Sequence, residues 1–310
     1  MPRFRFGFQV TATEAADALR AQVRQAEAAG FDIVQAADHV GSSWAPLALL
    51  GAMAAATTRV RVGTLVLNND FRHPVQLARE IAAIDHFSGG RVELGLGAGH
   101  SFTEYRAIGM AFDPPAERKA RMAEAVEILR ALLAGDAVTY AGRYYQLEDA
   151  RTMRARQERL PILVGVNGAR ALSHAARHAD TIGVTMLGRT LDDGQRHEAR
   201  WEAERLDRTV ALIRDAAAAA GRAVPPELNV LVQATIVTDD RTAAAEQLVD
   251  RIEGLTVADA LTSPFLAIGT HDEIAEHLLA CRDRWGISYF SVRSIDAFAP
   301  VIERIRALDG

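Results

Sequence analysis

Apolar residues recur along the chain in eight short runs that read as strands, at residues 4–10, 31–37, 60–67, 92–97, 161–166, 181–185, 228–237 and 289–293. Helical periodicity fills the intervals. Its clearest stripe is Met122, Ala125, Val126, Leu129, Leu132 and Leu133, and a last helix carries Val301, Ile302, Ile305 and Leu308. Thr270 with Glu273 fits a capping box, in which each side chain satisfies a backbone N–H of the other residue. Eight alternations of strand and helix predict a single α/β domain over residues 1–310, a (β/α)8 TIM barrel with insertions after strands. A doubly wound sheet is the alternative.

Strand alternation assigns faces. Val92, Leu94 and Leu96 share one side of the fourth run, expected to meet helices, while Glu93, Gly95, Gly97 and Gly99 share the other. On the third run Arg61, Gly63 and Leu65 lie together, so Arg61 and Glu93 are expected to pair inside the barrel. Inward glycines leave room for a bulky group; the alternative is a tight bend. Two stretches break the repeat. Residues 138–147 read as a hairpin turning at Ala141 and Gly142, followed by Arg151, Arg154, Arg156 and Arg159, and residues 187–198 are polar and turn-rich. Both are candidate lids over a barrel mouth, or else solvated loops.

Composition narrows the chemistry. Basic and acidic residues number 35 and 40, a net charge of −5 that offers no footprint for nucleic acid or an anionic membrane. The longest apolar run, 45–56, contains a proline and is too short for a bilayer. One cysteine, Cys281, and the lack of a signal-peptide core suggest the cytoplasm. Lys119 is the only lysine and sits in a helical stretch that looks exposed, which leaves no candidate for a buried Schiff-base lysine. The nine histidines form no H-x-H on the first strand, no H-E-x-x-H and no Cys–His cluster, so no metal site is expected. No G-x-S-x-G elbow occurs either. What remains is Asp38-His39, directly after the second strand, where a TIM barrel places catalytic groups. A histidine there titrates near neutrality and serves as acid, base or hydrogen-bond donor; the alternative is a histidine satisfied by packing.

Four motifs in order carry a resemblance that runs nearly end to end: Asp38-His39, GTLVLNNDFRHP at 63–74, GRVELGLGAG at 90–99, and GVNG at 165–168 followed by Ala179-Asp180. Together they resemble the luciferase-like monooxygenase superfamily, most closely its branch that uses the deazaflavin coenzyme F420. The resemblance implies a TIM barrel, usually a homodimer, with the cofactor ring at the C-terminal mouth of the strands. It implies catalytic roles for Asp38 and His39 beside the ring. Leu65 and Val66 match a bulge, often with a non-prolyl cis peptide, that supports the ring from behind. Asn68 matches a polar side chain at the ring edge, and Gly99 and His100 match the backbone that passes it. Gly165, Val166, Asn167 and Gly168 match the phosphate loop, with Thr185 and Arg189 in a second phosphate-binding segment. Trp44 falls near an active-site tryptophan, as a wall of the substrate pocket or a core residue.

One departure matters. The sugar-phosphate dehydrogenases of that branch carry a glutamate acid where this chain has His100, and their substrate-phosphate lysine has no counterpart. The expected activity is therefore hydride transfer between F420 and a small organic substrate other than glucose 6-phosphate. An FMN-dependent monooxygenase and a non-catalytic flavin-binding protein are the alternatives.

Overall fold

A computed structural model describes residues 2–10, 15–41, 44–190 and 197–309, with the backbone alone at 189 and 190. Eight parallel strands form its centre: β1 (Arg5–Gln9), β2 (Ile33–Ala36), β3 (Arg61–Thr64), β4 (Val92–Gly97), β5 (Ile162–Val166), β6 (Thr181–Val184), β7 (Glu227–Leu231) and β8 (Ile287–Val292). Each pairs with its sequence neighbour, and β1 pairs with β8, so the sheet closes on itself. All eight predicted runs hold a barrel strand. The doubly wound alternative is excluded by that closure.

Outward-facing apolar side chains seal the barrel against its helices. Val92, Leu94 and Leu96 are fully buried, opposite the predicted stripe of helix Pro115–Ala134, which is buried throughout. Each such Leu or Val contributes about 1.5–3 kcal/mol through burial. The capping box of Thr270 and Glu273 opens helix His271–Trp285. In the last helix, Ile295–Asp309, the stripe stops at Ile305 and Leu308 is exposed.

Inside the barrel, the two ends differ. At the N-terminal end Arg61 Nε meets Glu93 Oε1 at 2.5 Å, as the face assignment predicted. Arg5 also pairs with Glu93, and with Glu227 at 2.7 Å. Burial opposes the charge on Arg5, but Glu93 and Glu227 raise its pKa. Glu227 is raised by its own burial and by Glu93, against the pull of Arg5. Higher up, Ile33, Leu163 and Tyr289 form a small apolar layer, with Leu65 and Val66 packed above them.

The inward glycines accommodate the chain itself. A Cβ on Gly95 would strike the Thr64 carbonyl, and one on Gly97 would stand 2.6 Å from a Val66 methyl. The expected bulky group is thus the turn after β3, which contains a cis peptide between Leu65 and Val66. A short strand, Leu67–Asn68, then rejoins β4.

The predicted run at 228–237 splits. Val232 N–H still donates to Ser291 O, but Gln233 N–H turns to Phe265 O. Strand Ala234–Val237 then pairs with Leu266–Gly269 in a separate two-stranded parallel sheet. This small βαβ unit stands beside the C-terminal ends of the strands.

The first candidate lid is displaced. The hairpin of Val138–Ala141 and Gln146–Ala150 packs on helix Pro115–Ala134, with Tyr140 Oη donating to Glu127 at 3.0 Å. The arginines after it reach the opposite end of the barrel: Arg156 lies against Gly90, before β4, and Arg159 pairs with Asp180, before β6. Arg151 pairs with its neighbour Asp149. None of the residues of this insertion lines the cavity at the mouth.

Candidate active site at the barrel mouth

Over the C-terminal ends of the strands lies a cavity of about 1260 Å³. Its lining includes Asp38, His39, Leu65, Val66, Asn68, Gly99, His100, Gly165, Val166, Asn167 and Thr185. A space of this size exceeds the usual 300–1,000 Å³ of a pocket for one small ligand, roughly enough for two partners.

Its floor is apolar and held from below. Gln9 Nε2 donates to the Leu65 carbonyl at 2.9 Å, and Arg293 Nε donates to Gln9 Oε1 at 2.8 Å. Val66 rests on Gly97, where only glycine leaves it space, and lies beside Gly165. Leu65 and Val66 are partly exposed toward the cavity, an apolar surface suited to a planar ring.

Asp38 has a different part from that of a reacting acid. Its oxygens accept from Arg72 at 2.5 and 3.2 Å, and Oδ2 also accepts the Asn68 backbone N–H at 2.9 Å. With both oxygens so engaged, Asp38 positions the turn after β3. Asn68 is pinned as well, its Oδ1 accepting from Tyr105 Oη and from Asp70 N–H, both at 3.1 Å.

His39 stands on the rim with 43% of its side chain exposed, and its Nδ1 meets Glu104 Oε1 at 2.8 Å. Its ring is edge-on to His100 at 5.7 Å, and His100 lies 5.4 Å from His197. Although His100 is exposed, partial burial and the charges on His197 and His39 push its pKa down to about 4, so it is a neutral imidazole at pH 7. Arg118 braces this loop by donating to the carbonyls of Ala98 and Gly99, while stacking on Phe112.

Across the mouth, Gly168 has φ +86° and opens helix Ala169–His178 without a side-chain cap. Lys119, which the sequence made look exposed, is half-buried here. Its Nζ donates to the Asn167 carbonyl at 3.0 Å and to Asn167 Oδ1 at 2.6 Å. Burial and Arg118 lower its pKa. Asn167 Nδ2 in turn donates to Leu187 O at 3.3 Å, joining this loop to the hairpin of Leu187–Thr190 and His197–Ala199. That hairpin is the second candidate lid, and Leu187, Gly188, His197 and Ala199 line the cavity. Arg189 lies in its first strand, but its side chain is outside the described residues. Behind the loop a second cavity of about 690 Å³ is bordered by Gly168, Arg200, Arg205 and Arg208.

Trp44 is 44% exposed and stands outside the lining of the mouth. The aromatic wall is Trp201, 5% exposed and stacked on Phe265 at 5.2 Å. Sequence reasoning also passed over Glu104, Lys119, Arg118, His197 and the βαβ unit, none of which carries a local motif.

Among solved structures of similar fold, an F420-dependent secondary alcohol dehydrogenase in complex with an F420-acetone adduct superimposes with a TM-score of 0.78. It shares 21% identity, over 98% of this chain and 100% of that one. A monooxygenase from Streptomyces bottropensis gives 0.74 at 23% identity, over 96% of both chains. In sequence, an F420-dependent glucose-6-phosphate dehydrogenase of Microbacterium testaceum is 39% identical over 164 residues, 50% of this chain and 48% of that protein. One from Nakamurella multipartita is 35% identical over 188 residues, 58% and 55% of the two. The chain thus matches about half the length of these relatives. The family model for luciferase-like monooxygenases matches residues 2–256, most of the chain, and the chain belongs to that family.

Proposed function

We propose that the protein is an F420-dependent oxidoreductase that exchanges a hydride with a small organic substrate. The observation that carries this reading is one cavity with three features: the apolar platform of Leu65 and Val66, the turn of Gly165, Val166 and Asn167 beside Lys119 that leads into an uncapped helix, and His39 on the rim. The residues fit the group. A planar deazaflavin would lie on the platform, and its phosphate would meet the free amides after Gly168 and the Lys119 charge. F420 supplies a ring carbon that accepts or releases hydride, while the barrel orients the partners and excludes water. His39, held by Glu104, would move a proton to or from the substrate oxygen. His100, neutral at pH 7, offers a ring nitrogen in place of a carboxylic acid. The glucose-6-phosphate activity of the relatives is not carried over.

The tail of F420 bears carboxylates, and Arg200, Arg205 and Arg208 border the space beyond the phosphate loop. Arg151, Arg154 and Arg156, after the hairpin, are not among the residues that border this space. Surface ion pairs of this kind contribute about 0–1 kcal/mol each and weaken with salt.

The test is titration of cofactor-free protein with F420 and with FMN at two ionic strengths. F420 should bind more tightly, the preference should shrink at high salt, and Lys119→Met should weaken F420 by about tenfold. Tighter FMN binding with oxygen-dependent turnover would move the protein to the monooxygenase reading. Binding without turnover of any substrate would leave a flavin-binding protein.

Location in the cytoplasm and a homodimeric state belong to the same reading. Cys281, the only cysteine, is buried, its pKa pushed up to about 12 by burial, so the fold uses no internal disulfide, in keeping with a reducing compartment. No helix among the described residues is long and apolar enough to cross a membrane. Sedimentation of the purified chain would test the dimer, since a monomer at working concentration contradicts it.

A further inference from the structure

On the outer surface, away from both cavities, helix Pro115–Ala134 meets helix Ala169–His178. Glu127 of the first faces His174 and His178 of the second. The two histidines are four residues apart, so both project from one side of the helix. Their rings stack with centroids 4.5 Å apart, and His174 Nε2 meets Glu127 Oε1 at 3.0 Å. One ligand atom from each of the three residues lies within 4.8 Å of the others.

We infer that Glu127, His174 and His178 form a binding site for a divalent transition-metal ion of borderline softness, such as Zn2+, fastening the two helices together. Ligand atoms around a tetrahedral zinc sit about 2.0–2.1 Å from the metal and hence about 3.4 Å apart. The His174–Glu127 separation already has that scale, and the third ligand closes the set by a side-chain rotation. Two imidazoles and one carboxylate leave the fourth position to water. This donor set favours zinc, nickel or copper over magnesium or calcium, which prefer oxygen.

The surroundings agree with that assignment. Tyr140 Oη donates to Glu127 Oε2 at 3.0 Å, which orients the carboxylate and leaves the other oxygen for the ion. Burial, and the neighbouring His174, hold the His178 pKa below its usual value, so its ring is neutral near pH 7. Burial works against the Glu127 charge, but the bonds from His174 and Tyr140 keep its carboxyl ionised. Arg130 and Arg177 add opposing positive charge nearby, and Arg130 is paired with Asp180 at 2.6 Å. Two imidazoles and a carboxylate held side by side across two packed helices are a donor set that such a metal takes.

Such an ion would act at a distance from the mouth. The first helix carries Lys119 and the second begins at Gly168, so a metal between them would fix the spacing of the phosphate loop's two sides. Neither ligand spacing nor helix pattern alone showed this site, because Glu127 lies 47 residues before His174.

Calorimetric titration of chelator-stripped, tag-free protein with ZnCl2, and separately with MgCl2, tests the inference. One zinc per chain should bind, magnesium should give no comparable heat, and His174→Asn or His178→Asn should weaken zinc by about tenfold or more. Undiminished zinc binding in the double variant would overturn the assignment by placing the ion elsewhere, the mouth histidines included. Lack of zinc binding by the wild type would do the same. Should the variants fold poorly, the Co2+ spectrum of the wild type decides. An intense tetrahedral band supports the site, and a weak octahedral one refutes it.

Discussion

At the N-terminal end of the barrel four charged side chains, Arg5, Arg61, Glu93 and Glu227, meet one another among the strands. At the C-terminal end the inward residues are apolar or neutral, and the titratable groups stand on the connections above. Charges at the lower end have protein partners on both sides and serve the fold. The titratable groups at the upper end, His39, His100 and Lys119, face a space large enough for ligands and, on the proposed function, serve chemistry. Position along the same set of strands, rather than residue type, separates the two roles.

The largest effect should come from breaking the lower end. Glu93→Ala leaves Arg5 and Arg61 facing each other, so we expect a loss of about 3 kcal/mol in urea unfolding, toward the low end for buried pairs because both arginines keep some contact with solvent. Activity per folded molecule should persist. A variant as stable as the wild type would mean that the ionic cluster does not hold the barrel together.

His39→Ala should reverse that pattern, with roughly 10²-fold slower turnover, near-normal stability and near-normal cofactor affinity. Single-turnover reduction of F420, with a substrate found by screening small alcohols, would show it. An unchanged rate would remove His39 from the proton step.

The smallest effect concerns pH. His100 has a pKa of about 4 when folded, against an ordinary value of 6.5. Between those values the unfolded chain binds the extra proton, so this residue costs stability as pH falls below 6.5, and the cost is complete near pH 4. His100→Asn should therefore make the fall in melting temperature from pH 7 to pH 5 shallower. An equally steep fall in the variant would show that His100 is not a source of the acid sensitivity.

The barrel was legible because each strand is a short apolar run between helical patterns, and Arg61 and Glu93 could be paired by alternation alone. Leu266–Gly269 was not read as a strand, since its partner Ala234–Val237 continues the apolar run of β7 without a break in pattern. Asp38, His39, Leu65, Val66, Asn68 and residues 165–167 could be singled out because they belong to contiguous motifs, and the structure gathers them at one mouth. Lys119 misled because Glu117, Arg118 and Arg121 surround it; a helical pattern shows which residues share a face but not what that face meets. Trp44 and Trp201 differ in the same way. Only tertiary packing places Trp201 against Phe265 and beside the cavity.

The closed lower end also has a kinetic consequence. On the proposed function, a cofactor on the Leu65–Val66 floor would be covered by a substrate lying above it, which imposes an order of entry and exit. The deeper partner must arrive first and leave last. Steady-state data should then follow a compulsory-order scheme, in which excess of the upper ligand slows release of the lower one.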